Sequence, residues 1–125
     1  MRTELDLKAM KRQVKGRASF EAGDVIFSEG EDADKMYLVI EGQVRLTVNG
    51  EPMSTEVPGG IIGEMALIDS GTRSATATAI TDCTLAPIDQ ETFVSLLQQK
   101  PEFSLHVMSV LADRLRLAND ILAAI

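Results

Sequence analysis

Apolar and polar residues follow two different periods along this 125-residue chain. Leu7, Met10 and Val14 recur at three- and four-residue spacing, which predicts a short amphipathic helix over residues 3–14. Thr3 stands where it can cap that helix, with Asp6 at the capping-box position. From Phe20 the period becomes two. "DVIFSEG" predicts a strand running into the polar loop EGEDADK, and "KMYLVIEG" a second strand ending at Gly42. "QVRLTVNGE" alternates, with Val44, Leu46 and Val48 on one face and Arg45 and Thr47 on the other. Asn49-Gly50 then signals a tight hairpin, because both residues accept a positive φ. "SATATAI" sets Ala75, Ala77 and Ala79 against Thr76 and Thr78. "CTLAPID" predicts another short strand, whose Pro87 has no N–H for a ladder and is expected at an edge or bulge.

The helical period returns after Asp89, a plausible cap for QETFVSLLQQ. Lys100-Pro101 interrupts it, and Pro101 suits the first turn of a last helix running toward the C-terminus. There Met108, Leu111, Leu115, Ala118, Leu122 and Ile125 repeat at spacings of 3, 4, 3, 4 and 3, a heptad seam. Such a stripe either packs on the β body or pairs with a second helix, and the spacing fits both. All nine glycines fall between Gly16 and Gly71, marking a turn-rich β half followed by a helical tail. The pattern is that of a mainly β sandwich or barrel with flanking helices. It is expected to form one domain over 1–125, with an N-terminal helix in 1–15, a β barrel in 16–89 and C-terminal helices in 90–125.

Composition removes several function classes. The net charge is −7, with six basic and two acidic side chains in residues 1–17 against six basic and seventeen acidic ones in 18–125. An acidic body opposes direct DNA binding, which rests on phosphate neutralisation. No uninterrupted apolar run exceeds five residues, so no membrane span is expected. The N-terminus lacks an apolar signal core, and the single Cys83 fits a reducing cytoplasm. With one histidine, His106, neither a metal cluster nor a Ser-His-Asp set can be assembled. Cys83 reads as a small buried hydrophobe and His106 as an ordinary helix residue. No catalytic residue, metal or cofactor is expected, and the chain is not read as an enzyme.

Residues 61–79, "IIGEMALIDSGTRSATATA", carry two charges in an otherwise apolar and small stretch. Glu64 and Arg73 could be a structural salt bridge at a turn. The surrounding residues supply another reading, because the parts needed to hold a cyclic phosphate on a ribose stand here in order. A phosphate needs a fixed cation, and the planar fork of Arg73 can donate two hydrogen bonds. It also needs backbone N–H groups, which Met65, Ala66 and Leu67 offer at the start of a helical turn. Gly63 lets the backbone approach a ligand closely, Glu64 can accept from the free 2′-hydroxyl, Ser74 adds a hydroxyl, and Ala75 leaves room.

This segment resembles the phosphate-binding cassette of cyclic nucleotide-binding domains, found in the catabolite activator protein family, in cyclic-nucleotide-dependent kinases and in cyclic-nucleotide-gated channels. The family pattern is met at every specified position: Ile62, Gly63, Glu64, Met65, Ala66, Leu67, five loop residues, Arg73, Ser74, Ala75. Gly30 through Asp34 and Gly42 resemble the family's β2–β3 turn and strand end, so that the likeness covers roughly residues 15–120. It implies an eight-stranded jelly roll (a cupin-like double-stranded β-helix) with an N-terminal helix and C-terminal lid helices. It further implies that Arg73 holds the cyclic phosphate with Ser74 and the amides of Met65 and Ala66, that the cassette spans 61–75, and that Glu64 holds the ribose hydroxyl.

The last helix would close over the base. Arg114 falls where the family has an arginine, while Ala118 and Asn119 replace two hydroxyl residues that read adenine. Thr72 replaces a common proline, Ile62 a common Phe and Ala33 a usual Gly. The resemblance implies a regulatory module that binds cAMP first and cGMP second and signals to an effector protein through its last helix. The competing expectation is a dimerisation or interaction scaffold of the same fold with an unused pocket. A DNA-binding regulator ranks behind both, since no helix-turn-helix segment follows the lid. The chain is expected to be either a stand-alone protein, as its first Met suggests, or a fragment of a larger one.

Overall fold

The computed structural model describes residues 5–69 and 71–123. In order they form α1 (Leu7–Gln13), β1 (Ala18–Phe20), β2 (Val25–Phe27), β3 (Lys35–Glu41), β4 (Val44–Val48), β5 (Glu51–Glu56), β6 (Ile61–Ile62), α2 (Met65–Ile68), β7 (Thr76–Ala79), β8 (Cys83–Asp89), α3 (Gln90–Gln99) and α4 (Pro101–Ala123). The strands make two antiparallel four-stranded sheets, β1-β8-β3-β6 and β2-β7-β4-β5, a jelly roll.

The first sheet is covered on both faces, which explains the unbroken apolar run of β3. Met36, Leu38 and Ile40 point toward the helices, whereas Val39 points into the space between the sheets. The helix-side core adds Met10 from α1, Phe93 and Leu96 from α3, and Phe103, Val107 and Val110 from α4. Phe93 and Phe103 meet edge-on with ring centroids 6.1 Å apart. Phe103 is fully buried, and burying such a ring contributes about 1.5–3 kcal/mol. The inter-sheet core gathers Phe27, Val44, Leu46, Ile62, Ala77 and Leu85. Cys83 is buried there, its Sγ donating to the carbonyls of Gln43 and Thr81 at 3.3 and 3.2 Å.

Local chemistry accounts for the connections. Asn49 and Gly50 carry φ of 52° and 79°, the paired left-handed conformation of a tight hairpin between β4 and β5. Asp89 caps α3, its carboxylate accepting from the Thr92 amide at 2.8 Å, and that hydrogen bond holds its pKa below the ordinary carboxylate value. The chain breaks at Lys100, and Pro101 opens α4.

Three expectations change. The first helix is shorter than 3–14: Asp6 is its cap, accepting from the Ala9 amide at 3.2 Å, while Thr3 lies outside the described residues. Residues 18–20 form a strand of their own, β1, too short to show a period. Pro87 belongs to a strand in the middle of its sheet, not at an edge. It is tolerated because β1 pairs only with Cys83–Leu85, so beyond Leu85 only β3 flanks β8.

The heptad seam also resolves. The face of α4 that meets the body carries Phe103, His106, Val107 and Val110. Met108, Leu115 and Leu122 point away and are 56, 63 and 67% exposed, joined by Leu105 at 52%. Ile125 lies outside the described residues.

Candidate functional site

The cassette starts where β6 ends. Gly63 has φ of +77°, and a Cβ placed there would lie 2.3 Å from Arg73 Nη1. Only glycine lets the guanidinium pass so close to the backbone. The backbone around Arg73 is fixed by the β2–β3 loop. The Arg73 amide donates to Glu31 O, the Gly30 amide to Arg73 O and the Ala33 amide to Gly71 O, each at 2.8 Å, with Asp32 bridged to Thr72. Arg73 Nη1 then donates to Lys35 O at 2.7 Å and Gly63 O at 3.3 Å. Its Cζ sits 4.0 Å from the centroid of the Phe27 ring.

Arg73 is only 6% exposed. Among the described residues no carboxylate pairs with it within 4.0 Å. Burial lowers its pKa from the ordinary 12.5, with Tyr37, Asp34 and Glu31 opposing the shift. A desolvated cation held on two carbonyls and an aromatic face, with no carboxylate within 4.0 Å among the described residues, suits an anion.

Glu64 does not answer Arg73. It is fully buried, and its Oε1 accepts from Nη1 of Arg114, which reaches in from α4. Its Oε2 is buried without a hydrogen-bond partner among the described residues. The structural salt bridge weighed for Glu64 and Arg73 therefore does not form; the carboxylate's ion pair is with the lid helix instead. Arg114 Nη2 also donates to Ile61 O at 2.6 Å and meets Glu56 Oε1 at 3.4 Å.

A cavity of about 490 Å³ lies between the cassette, the β4–β5 hairpin and α4. Gly63, Glu64, Met65, Ala66, Arg73, Ser74 and Ala75 all line it, and so does Arg114. Leu46, Val48 and Met53 form an apolar wall opposite, with Leu111 and Leu115 of α4. Ala118 and Asn119 do not line it: they lie farther along α4, half-buried and exposed. The helix α2 is a single turn of four residues, so its dipole is slight. The Ala66, Leu67 and Ile68 amides bond to Gly63 O or Glu64 O at 3.0–3.3 Å, which leaves the Met65 amide without an acceptor among the described residues. The cavity lining thus combines the Arg73 and Arg114 cations, the Glu64 carboxylate and an apolar wall.

Two further buried residues belong to this neighbourhood. Glu56 ends β5 at 1% exposure. His106 is 5% exposed, and its Nε2 lies 2.8 Å from Gly59 O, tying α4 to the turn after β5. The signal for His106 is its place on the Phe103–Val110 face; Glu56 follows a polar strand and gives none. Among the described residues no group of three or more His, Cys, Asp or Glu is placed to hold a metal ion, and no helix is long and apolar enough to cross a membrane.

The family profile of the cyclic nucleotide-binding domain matches residues 17–100. The chain belongs to the cyclic nucleotide-binding domain family. A CRP-like cAMP-activated global transcriptional regulator of Mycobacterium tuberculosis is 34% identical over 109 residues, covering 83% of this chain and 49% of the regulator. The chain therefore spans about half of that relative's length. The catabolite activator protein of Thermus thermophilus superposes with a TM-score of 0.77 at 31% identity, over 97% of this chain and 59% of the other. The cGMP-bound form of the EAL enzyme Bd1971 gives a TM-score of 0.63 at 30% identity, over 84% of this chain and 29% of that one. In this cyclic nucleotide-binding domain the residues expected of the cassette line one cavity, together with Arg114, while Ala118 and Asn119 lie outside it.

Proposed function

We propose that this cyclic nucleotide-binding domain is a cytoplasmic sensor, a binding module and not an enzyme, with cAMP as its first ligand and cGMP as its second. One observation carries the reading. Arg73, buried with no carboxylate within 4.0 Å among the described residues, and Glu64, whose Oε2 has no hydrogen-bond partner among them, line the same 490 Å³ cavity. A cyclic phosphate would meet the first, a ribose hydroxyl the second, and the base the apolar wall of Leu46, Val48 and Met53. The M. tuberculosis regulator is described as cAMP-activated, and Bd1971 was captured with cGMP. Ligand would act on α4 through Arg114 and Leu115, which line the cavity, and so pass a signal to an effector protein.

The test is a thermal melt with cAMP, cGMP and AMP on the wild type and on Arg73→Gln, after unfolding and refolding to strip carried-over ligand. At about 100 times the dissociation constant, a ligand adds roughly 2.7 kcal/mol, a rise of several degrees for a domain of this size. The rise is expected with a cyclic nucleotide, not with AMP, and not in Arg73→Gln. No rise for the wild type overturns the reading.

A second reading has its own observation, the exposed face Leu105, Met108, Leu115 and Leu122 on α4. It is a module that pairs with a second copy through that helix, with or without a ligand. The net charge of −7 speaks against direct DNA binding by this chain under either reading.

A further inference from the structure

Backbone and side chain of Arg73 are both held by the segment that joins β2 to β3. The middle of that segment takes the backbone, through the Gly30 amide and Glu31 O. Its two ends take the guanidinium. Lys35, the first residue of β3, accepts from Nη1 at 2.7 Å. Phe27, the last residue of β2, has its ring centroid 4.0 Å from Cζ. That ring is itself fixed. It is buried in the inter-sheet core, its backbone registers with Ala77 of β7, and its plane lies within 17° of that of Tyr37. A Cβ on Gly63 would lie 3.3 Å from the Phe27 ring and 2.3 Å from Nη1, so the glycine makes room for ring and cation together. Phe27 and Arg73 both line the cavity.

We propose that Phe27 is a positioning residue for phosphate recognition: the face of its ring holds the Arg73 guanidinium in place for the ligand's anion without neutralising it. This rests on the cyclic-nucleotide reading of the cavity and names how that site keeps its cation ready. A buried arginine needs favourable partners to stay buried. A carboxylate in the ring's place would hold it, but its charge would repel an incoming phosphate. An aromatic ring attracts a cation through its negative face and carries no net charge. It therefore steadies the guanidinium and leaves the positive charge for the ligand. The gain to binding is one of order. A long side chain that wanders in the free protein must be immobilised when the phosphate arrives, and that cost weakens affinity. With Phe27 beneath it, Arg73 is immobilised beforehand.

The experiment separates the ring's charge distribution from its bulk. Phe27 is replaced site-specifically by mono-, di- and trifluorinated phenylalanine, which keep the shape but drain electron density from the face, and in a further variant by Phe27→Leu. Calorimetry then gives the dissociation constant for cAMP. It is expected to rise with each fluorine, reaching about fivefold for the trifluorinated ring, the worth of a cation on an aromatic face. Phe27→Leu is expected to lose about fivefold or more. Side-chain NMR of the ligand-free wild type should show the Arg73 guanidinium displaced by the ring current of Phe27, and Phe27→Leu should abolish that displacement. A dissociation constant that is flat or falling across the fluorinated series overturns the assignment, even where Phe27→Leu binds poorly, because bulk alone would then be the ring's role. An Arg73 signal without a ring-current shift in the wild type overturns it as well. Should the trifluorinated protein not fold, the mono- and difluorinated forms carry the same trend. A wild type that binds no cyclic nucleotide removes the reading of the cavity and this role with it, an outcome distinct from binding that ignores the fluorines.

Discussion

At the scale of single residues, the site depends on how closely Gly63 and Arg73 approach. Substituting Gly63→Ala forces a side chain into a left-handed backbone and onto Nη1 of Arg73, 2.3 Å away. The backbone strain alone costs about 1–2 kcal/mol. The protein should still fold, with a lower melting point, while the displaced guanidinium loses its place before the phosphate. Calorimetry is expected to show affinity for cAMP reduced by about tenfold or more, the worth of a charged hydrogen bond; wild-type affinity would show that the contact is dispensable. The chain announces this pair, because a Gly-Glu step and an arginine stand out among Ile, Leu and Ala. It does not announce how the charges are partnered. Glu64 meets Arg114, fifty residues away, a pairing that only the docking of α4 creates. Glu56 is less legible still, since nothing around Glu51–Glu56 distinguishes a buried carboxylate from a surface one.

At the scale of elements, periodicity located most strands and both C-terminal helices but could not orient α4. Two apolar stripes run along that helix, and the sequence gives no means of choosing which faces the body. The jelly roll takes Phe103, Val107 and Val110, and this leaves Leu105, Met108, Leu115 and Leu122 outside. Their spacing of 3, 7 and 7 is that of a helix-to-helix seam. Met108→Glu together with Leu122→Glu places charges on the seam without touching the cavity, which neither residue lines. Sedimentation of the wild type at tens of micromolar is expected to give twice the chain mass, and that of the double variant the chain mass alone. A monomeric wild type would remove helix pairing as a role for this face. The cAMP-induced rise in melting point should survive in the variant if recognition belongs to one chain.

At the scale of the whole molecule, ligand site and exposed seam are two sides of one helix. The first half of α4 is anchored by Phe103, His106, Val107 and Val110, all buried. Beyond them Leu111, Arg114 and Leu115 form part of the cavity wall, and Leu115 is at the same time 63% exposed on the seam. From Leu115 onward the described side chains are mostly exposed, and Arg114 ties the helix to the body just before them. Local stability should follow this division, high through Val110 and lower after Arg114. A ligand that prefers one position of α4 a hundredfold supplies about 2.7 kcal/mol of coupling. Hydrogen exchange is therefore expected to slow on adding cAMP in residues 111–123 and to change little in 103–110. Slowing spread evenly along α4 would mean that the helix responds as one rigid body. No change in either half would break the link between the cavity and the seam, leaving recognition in the cassette without a path to a partner.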